Sequence, residues 1–263
     1  MRPNNTLRAW RDGRQTIGAW LSAPSGHTAE VMAHAGFDWL CVDMQHGLID
    51  EMACFEMLRA ISTTDTTPFV RVGWNEPRIM MKVLDAGAYG VVVPLVNTRA
   101  EAEQAVWACK YPPAGGRSSG PARATLYAGS DYQAHANDET AVIVMIETPE
   151  GIENLDEILS VPGVDAAYIG PSDLAYALGM TPTGDNRDEK HQQVCLDIME
   201  ACKRHNVAPG IHTGSLEYTT KWLQAGFQMV TLGSEVGFMR AKAGADLAAA
   251  RGDAAAPRAE PEA

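Results

Sequence analysis

Short apolar runs recur along the chain. Each is separated from the next by a segment whose apolar positions repeat at helical spacing. The runs predict strands at GAWL (18–21), WLCVD (39–43), FVRV (69–72), GVVVP (90–94), VIVMIE (142–147), AAYIG (166–170), PGIHT (209–213) and MVTLG (229–233). The segments between them predict helices at 28–36, 51–62, 78–87, 102–109, 191–206 and 216–226. Several helices close on glycine, and AHAGFDWL, DAGAYGVVV and QAGFQMVTL each read as helix, glycine, apolar strand. Strands that are apolar throughout are expected to pair in parallel with both faces covered. Eight such units in about 250 residues match a closed (β/α)8 barrel of TIM type in count and length. A doubly wound open sheet is the alternative, weakened because no GxGxxG follows the first strand.

One barrel domain is expected over 1–251. The Ala/Pro/Glu-rich end GDAAAPRAEPEA, 252–263, is expected to be a disordered tail. The connection from Tyr111 to Thr140 breaks the rhythm, and its PPAGGRSSG stretch is expected to lie over the active face.

Composition narrows the function. The 263 residues are 46% hydrophobic and carry a net charge of −12. With no basic run, nucleic acid and anionic membrane surfaces are excluded as partners, which leaves small molecules or proteins. The start lacks the long apolar core of a secretory signal, and no apolar stretch is long enough to span a membrane. Five cysteines without CxxC spacing are expected to be reduced thiols in a cytoplasmic protein, with Cys41 packed in the core.

In such a barrel the chemistry sits at the C-terminal strand ends. Those ends carry Asp43 and His46, Arg71, Glu147, Ser172 and Asp173, His212, then Ser234 and Glu235. Each alone has a plain structural reading. Asp43 and Asp173 could be turn or cap residues, His46 a surface histidine, and Arg71 an ion-pair partner. His212 and Glu235 point more weakly to function. Glu147 closes an apolar run, where an ionised carboxylate needs a partner. Together they describe one mouth. Two carboxylates without cysteine suit Mg²⁺, Mn²⁺ or Co²⁺. Arg71 offers a planar fork for a carboxylate or enolate, and His46 can exchange a proton near neutral pH. The six lysines (82, 110, 190, 203, 221, 242) fall in helical segments or their flanks, so a Schiff-base lysine is not expected.

Across Leu7 to Leu247 an ordered series of stretches resembles the HpcH/HpaI family of class II pyruvate aldolases. These are GAWLSAPSGHTAEVMAHAGFDWLCVDMQHG, FVRVGWNEP, KVLDAGAYGVVVPLVNTRAEAEQAV, YPPAGGRSSGPARAT, MIETPEGIENLDEI and GPSDLAYALG. The resemblance implies the barrel, commonly as a homo-hexamer with the last helix exchanged between subunits. It also implies metal-dependent, reversible cleavage of 4-hydroxy-2-oxo acids to pyruvate, or a close analogue such as hydroxypyruvate, plus an aldehyde, with no organic cofactor. By motif, His46 is the base, and Arg71 binds the oxo acid and stabilises the enolate. Glu147 and Asp173 hold the metal, with Ser172 and Asp173 at the substrate carboxylate. Asp85 matches the acid that raises the basicity of the histidine, and Asp43 is expected to orient His46 or a water on the metal.

The chain departs from the pattern at Gln45, where many relatives have Glu, and at Met145, where some carry a substrate-touching Gln. By strand alternation Met145 faces the same way as Glu147. His212 replaces a common aliphatic residue and is expected to touch substrate hydroxyls, with space-filling as its plain reading. Two other functions stay open: a carbon–carbon lyase acting on a CoA thioester, and a non-catalytic metabolite-binding barrel.

Overall fold

The computed structural model describes residues 1–252; the expected tail lies, apart from Gly252, outside the described residues. The eight apolar runs form strands β1 (Thr16–Leu21), β2 (Trp39–Asp43), β3 (Thr67–Arg71), β4 (Gly90–Val93), β5 (Ala141–Met145), β6 (Ala166–Ile169), β7 (Ala208–Ile211) and β8 (Met229–Ser234). They pair in parallel in sequence order, and β1 closes on β8. The closed barrel is the expected fold, and the open sheet is excluded. Strand limits differ from the predicted ones by up to two residues, mostly because pairing begins earlier and ends sooner than the apolar runs.

Alternation sorts each strand into two faces. One face packs outward against the helices, as with Leu40, Val42, Val70, Val91 and Val144. The other fills the barrel with Trp20, Trp39, Cys41, Phe69, Met145, Tyr168 and Met229. This interior is aromatic, so small residues must stand opposite the rings. A Cβ on Gly18 would come within 2.0 Å of the Trp39 ring. The first helix, Asn5–Arg11, is capped by the Asn4 side chain and contributes Leu7 and Trp10 to the same cluster. Trp10 meets Phe69 at 5.7 Å between centroids, at the end of the barrel where the strands begin.

The connection 111–140 corrects an expectation. It contains two short helices, Ala122–Ala128 and Tyr132–Glu139, and it joins the end of helix Arg99–Cys109 to the start of β5. In a (β/α) unit that junction lies where strands begin, so PPAGGRSSG is at the opposite end from the active face of its own barrel. Its Arg117 is buried there, bonding Tyr132 Oη at 3.0 Å and Asp85 at 2.8 Å.

The last helix, Glu235–Arg251, is unlike the rest. From Gly237 to Leu247 every residue is exposed, including Met239 and Leu247. Among the described residues, no helix is long and apolar enough to cross a membrane.

Candidate active site

Parallel pairing makes Asp43 and Arg71 register partners at the ends of β2 and β3. Their side chains meet in a two-pronged ion pair, Arg71 Nε donating to Oδ1 at 2.9 Å and Nη2 to Oδ2 at 2.6 Å. Burial by itself would raise the Asp43 carboxyl. The bonds and charge of Arg71 outweigh it and hold Asp43 below the usual carboxylate range. Asp43 Oδ1 also accepts the backbone N–H groups of Gln45 at 3.0 Å and His46 at 3.3 Å. Asp43 therefore both closes the turn after β2 and pairs with Arg71. It shapes the loop that carries His46, but touches that histidine only through its backbone. The His46 ring is exposed in the isolated chain.

Arg71 is fixed on a second side. Its guanidinium carbon lies 4.3 Å from the centroid of the Trp20 ring, a cation–π contact. Among the described residues Nη1 has only the Met145 sulfur as a hydrogen-bond partner, at 4.0 Å, so one edge of the fork is left for a ligand. Met145 does face the interior with Glu147, as alternation predicts.

Glu147 is 3% exposed. Its Oε1 accepts the backbone N–H of Leu95 at 2.9 Å, and Oε2 makes no hydrogen bond among the described residues. Leu95 has a φ of 53°, a left-handed conformation that costs a branched residue about 1 kcal/mol and turns its N–H toward the carboxylate. A Cβ on Gly170 would sit 2.5 Å from Oε2, so any larger residue there would displace the carboxylate. Burial pushes the Glu147 carboxyl up to about 7. The Leu95 N–H and Arg71 pull the other way, and the charge of Asp173 adds to the rise. Asp173 is in the first turn of helix Pro171–Ala177 but makes no capping bond, and its carboxylate is exposed. Ser172, beside it, is half-buried.

A buried carboxylate without a matching cation, near a second carboxylate, suits a divalent ion. Among the described residues no group of three or more His, Cys, Asp or Glu is placed to hold a metal ion by itself. Glu147 and Asp173 would supply two oxygens and leave the remaining positions to substrate and water. All six lysines lie on helices or, for Lys110, directly after one, away from the strand ends.

Two of the residues named from the sequence have other partners within the chain. Asp85 ends helix Pro77–Asp85, which runs away from the mouth, so in this chain it neutralises Arg117 at the far end and cannot reach His46. Glu235 is buried and its Oε1 accepts the backbone N–H groups of Ser22 and Ala23, tying the loop after β1 to β8. The backbone N–H of His212 donates to the Ile169 carbonyl at 3.1 Å, and its ring faces inward against Trp20 and Tyr168. Burial, with the charge of Arg71, lowers its ring to about 4, so it is neutral at pH 7.

Leu95, Gly170, Trp20 and Tyr168 were not singled out from the sequence. A leucine with positive φ leaves no pattern to read. The glycine, tryptophan and tyrosine read equally well as turn and core.

The family model for HpcH/HpaI aldolase/citrate lyase matches residues 16–241. The chain is 40% identical over 248 residues to the hydroxypyruvate/pyruvate aldolase of Rhizorhabdus wittichii, covering 94% of this chain and 99% of that one. It is 37% identical over 251 residues to the 4-hydroxy-2-oxo-heptane-1,7-dioate aldolase of Shigella sonnei, covering 94% of each. The crystal structure of an HpcH/HpaI aldolase/citrate lyase family protein from Burkholderia cenocepacia superposes with a TM-score of 0.88 at 33% identity, covering 94% of this chain and 99% of that one.

Proposed function

The chain belongs to the HpcH/HpaI aldolase/citrate lyase family and is an aldolase, a carbon–carbon lyase; from that premise we propose that it reversibly cleaves 4-hydroxy-2-oxo acids to pyruvate or hydroxypyruvate and an aldehyde. One observation carries the reading: an arginine locked by Asp43 and Trp20, with one edge free, shares the mouth with a buried carboxylate that has no ion-pair partner among the described residues.

Arg71 receives the oxo-acid through that free edge and stays charged as negative charge grows on the enolate oxygen. Ser172 and Asp173 stand at the substrate carboxylate. Glu147 and Asp173 would hold Mg²⁺, Mn²⁺ or Co²⁺, which when bound polarises the 2-oxo group and stabilises the enolate. His46 removes the proton of the C4 hydroxyl. The C3–C4 bond then breaks, the aldehyde leaves, and a proton added at C3 gives the keto acid. Synthesis runs in reverse. Asp43 acts as a positioning residue, through Arg71 and through the turn at His46.

The test is turnover by EDTA-treated protein with a 4-hydroxy-2-oxo acid, before and after Mg²⁺, Mn²⁺ or Co²⁺ is restored. Product formed only with metal is the expected result. Equal rates without metal would overturn the metal's role. No product with any metal would turn attention to CoA-thioester cleavage.

We further propose a homo-hexamer in which helix Glu235–Arg251 packs on a neighbouring subunit. The support is the length of that helix left uncovered by its own barrel. The role of Asp85 then has a route, since only another copy could bring that acid to His46. Sedimentation of the full chain should give the mass of six copies; a monomer at micromolar concentration would refute the assembly. Five buried, unpaired thiols fit a reducing cytoplasm.

A further inference from the structure

The mechanism above leaves unused a chain of polar groups inside an otherwise apolar barrel. Trp20 Nε1 lies 3.0 Å from both Tyr168 Oη and Thr231 Oγ1. Those two hydroxyls are hydrogen-bonded to each other, and Tyr168 Oη is 3.3 Å from His212 Nδ1. The His212 ring also stands edge-on to Trp20, at 5.4 Å between centroids.

The direction of this chain can be assigned by placing every hydrogen. Trp20 can only donate. If Thr231 then donates to Tyr168, and Tyr168 to His212 Nδ1, each hydroxyl hydrogen has an acceptor. Run the other way, with Nδ1 as donor, the Thr231 hydroxyl hydrogen has no acceptor among the described residues. His212 is neutral, so an accepting Nδ1 puts its one ring hydrogen on Nε2. That nitrogen has no partner among the described residues, yet it is not one of the sealed, unsatisfied polar atoms. His212 is half-buried, and Nε2 is the fixed donor that the ring has left for a ligand. A residue that merely filled space would not need three buried polar groups to set its tautomer.

Position identifies what it meets. His212 and Arg71 both pack on the indole of Trp20. Trp20 is 3% exposed, so this is the floor of the mouth, where the oxo-acid donor is held, and not the rim that the aldehyde crosses. Resting on the aldolase reading, we propose that His212 is a specificity residue whose Nε2–H donates to a hydroxyl at C3 of the donor, selecting hydroxypyruvate-type 2-oxo acids over pyruvate. Tyr168 is its positioning residue.

The experiment compares pyruvate and hydroxypyruvate as donors toward one unsubstituted aldehyde and toward glycolaldehyde. His212→Leu should lower the hydroxypyruvate-to-pyruvate ratio of kcat/KM about tenfold, the worth of one hydrogen bond, mainly through the KM for hydroxypyruvate. His212→Gln, which keeps an N–H donor, should recover part of the ratio, and Tyr168→Phe should lower it less than His212→Leu. Calorimetric binding of the two donors to Mg²⁺-loaded protein should show the same change without turnover. An unchanged ratio in His212→Leu would overturn the assignment, as would a change seen only between the two aldehydes. If the wild-type chain turned over neither donor, the aldolase reading would fall, and the calorimetric ratio would still decide the role of His212.

Discussion

Replacing Glu147 with Gln is expected to lower metal-dependent turnover at least about a thousandfold while making the metal-free protein more stable. The first effect follows from losing the buried charge that would hold the cation, several kcal/mol of transition-state stabilisation. The second follows from the carboxyl's position. In the folded chain it titrates at about 7, against 4.5 ordinarily. An acid with a raised folded pKa costs stability wherever the unfolded state is ionised. The cost starts as pH rises through about 4.5, grows until the folded group ionises near 7, and is full above that, at about 3 kcal/mol. Gln removes the charge and can keep the bond from the Leu95 N–H. In EDTA, the urea midpoint of Glu147→Gln should exceed that of wild type at pH 8 and match it at pH 4. Added Mn²⁺ should raise the wild-type midpoint and leave the variant's unmoved. A variant that kept metal-dependent turnover would remove Glu147 from the site.

Arg71→Ala should cost both activity and stability. It leaves Asp43, 5% exposed, as a buried carboxylate with only two backbone N–H partners, and it strips the cation from the face of Trp20. Breaking such a pair on one side costs about 3–5 kcal/mol. Turnover should fall at least about a thousandfold, because among the described residues no other cationic side chain contacts Asp43 or Trp20 at the mouth. The double variant Arg71→Ala/Asp43→Asn separates the two losses. It should recover much of the stability, since the stranded charge is gone, and none of the activity. If the two substitutions simply added in urea denaturation, the coupling between Asp43 and Arg71 would be absent and the pair would not be the anchor of the site.

Much of this site was legible along the chain. WLCVD and FVRV announce strands, and strand ends in a parallel barrel converge, so Asp43, His46, Arg71, Glu147, Asp173 and His212 could be assigned to one mouth without coordinates. The alternation that turns Met145 inward with Glu147 was equally plain. Direction in space was less legible. PPAGGRSSG looks like a lid, and a glycine-rich loop has the same composition at either end of a barrel. Only its place after a helix and before a strand puts it at the far end. Asp85 is placed by the same rule: near the end of a (β/α) helix it faces away from the mouth of its own barrel, so the sequence does not show that only a neighbouring copy could bring it to His46.

The order and kind of the elements, the parallel pairing and the set of chemical groups at the strand ends were determined by the sequence itself, because they depend on local periodicity and on chain connectivity. The tertiary structure decided which groups touch. Asp43 reaches Arg71 because their strands are in register. Leu95 reaches Glu147 across 52 residues by adopting a conformation it would avoid alone. Tyr168 reaches the His212 ring, and Thr231 reaches Tyr168, from neighbouring strands. Hydrogen bonds and buried charges act over a few ångströms, and partners that close are brought together only when the barrel shuts.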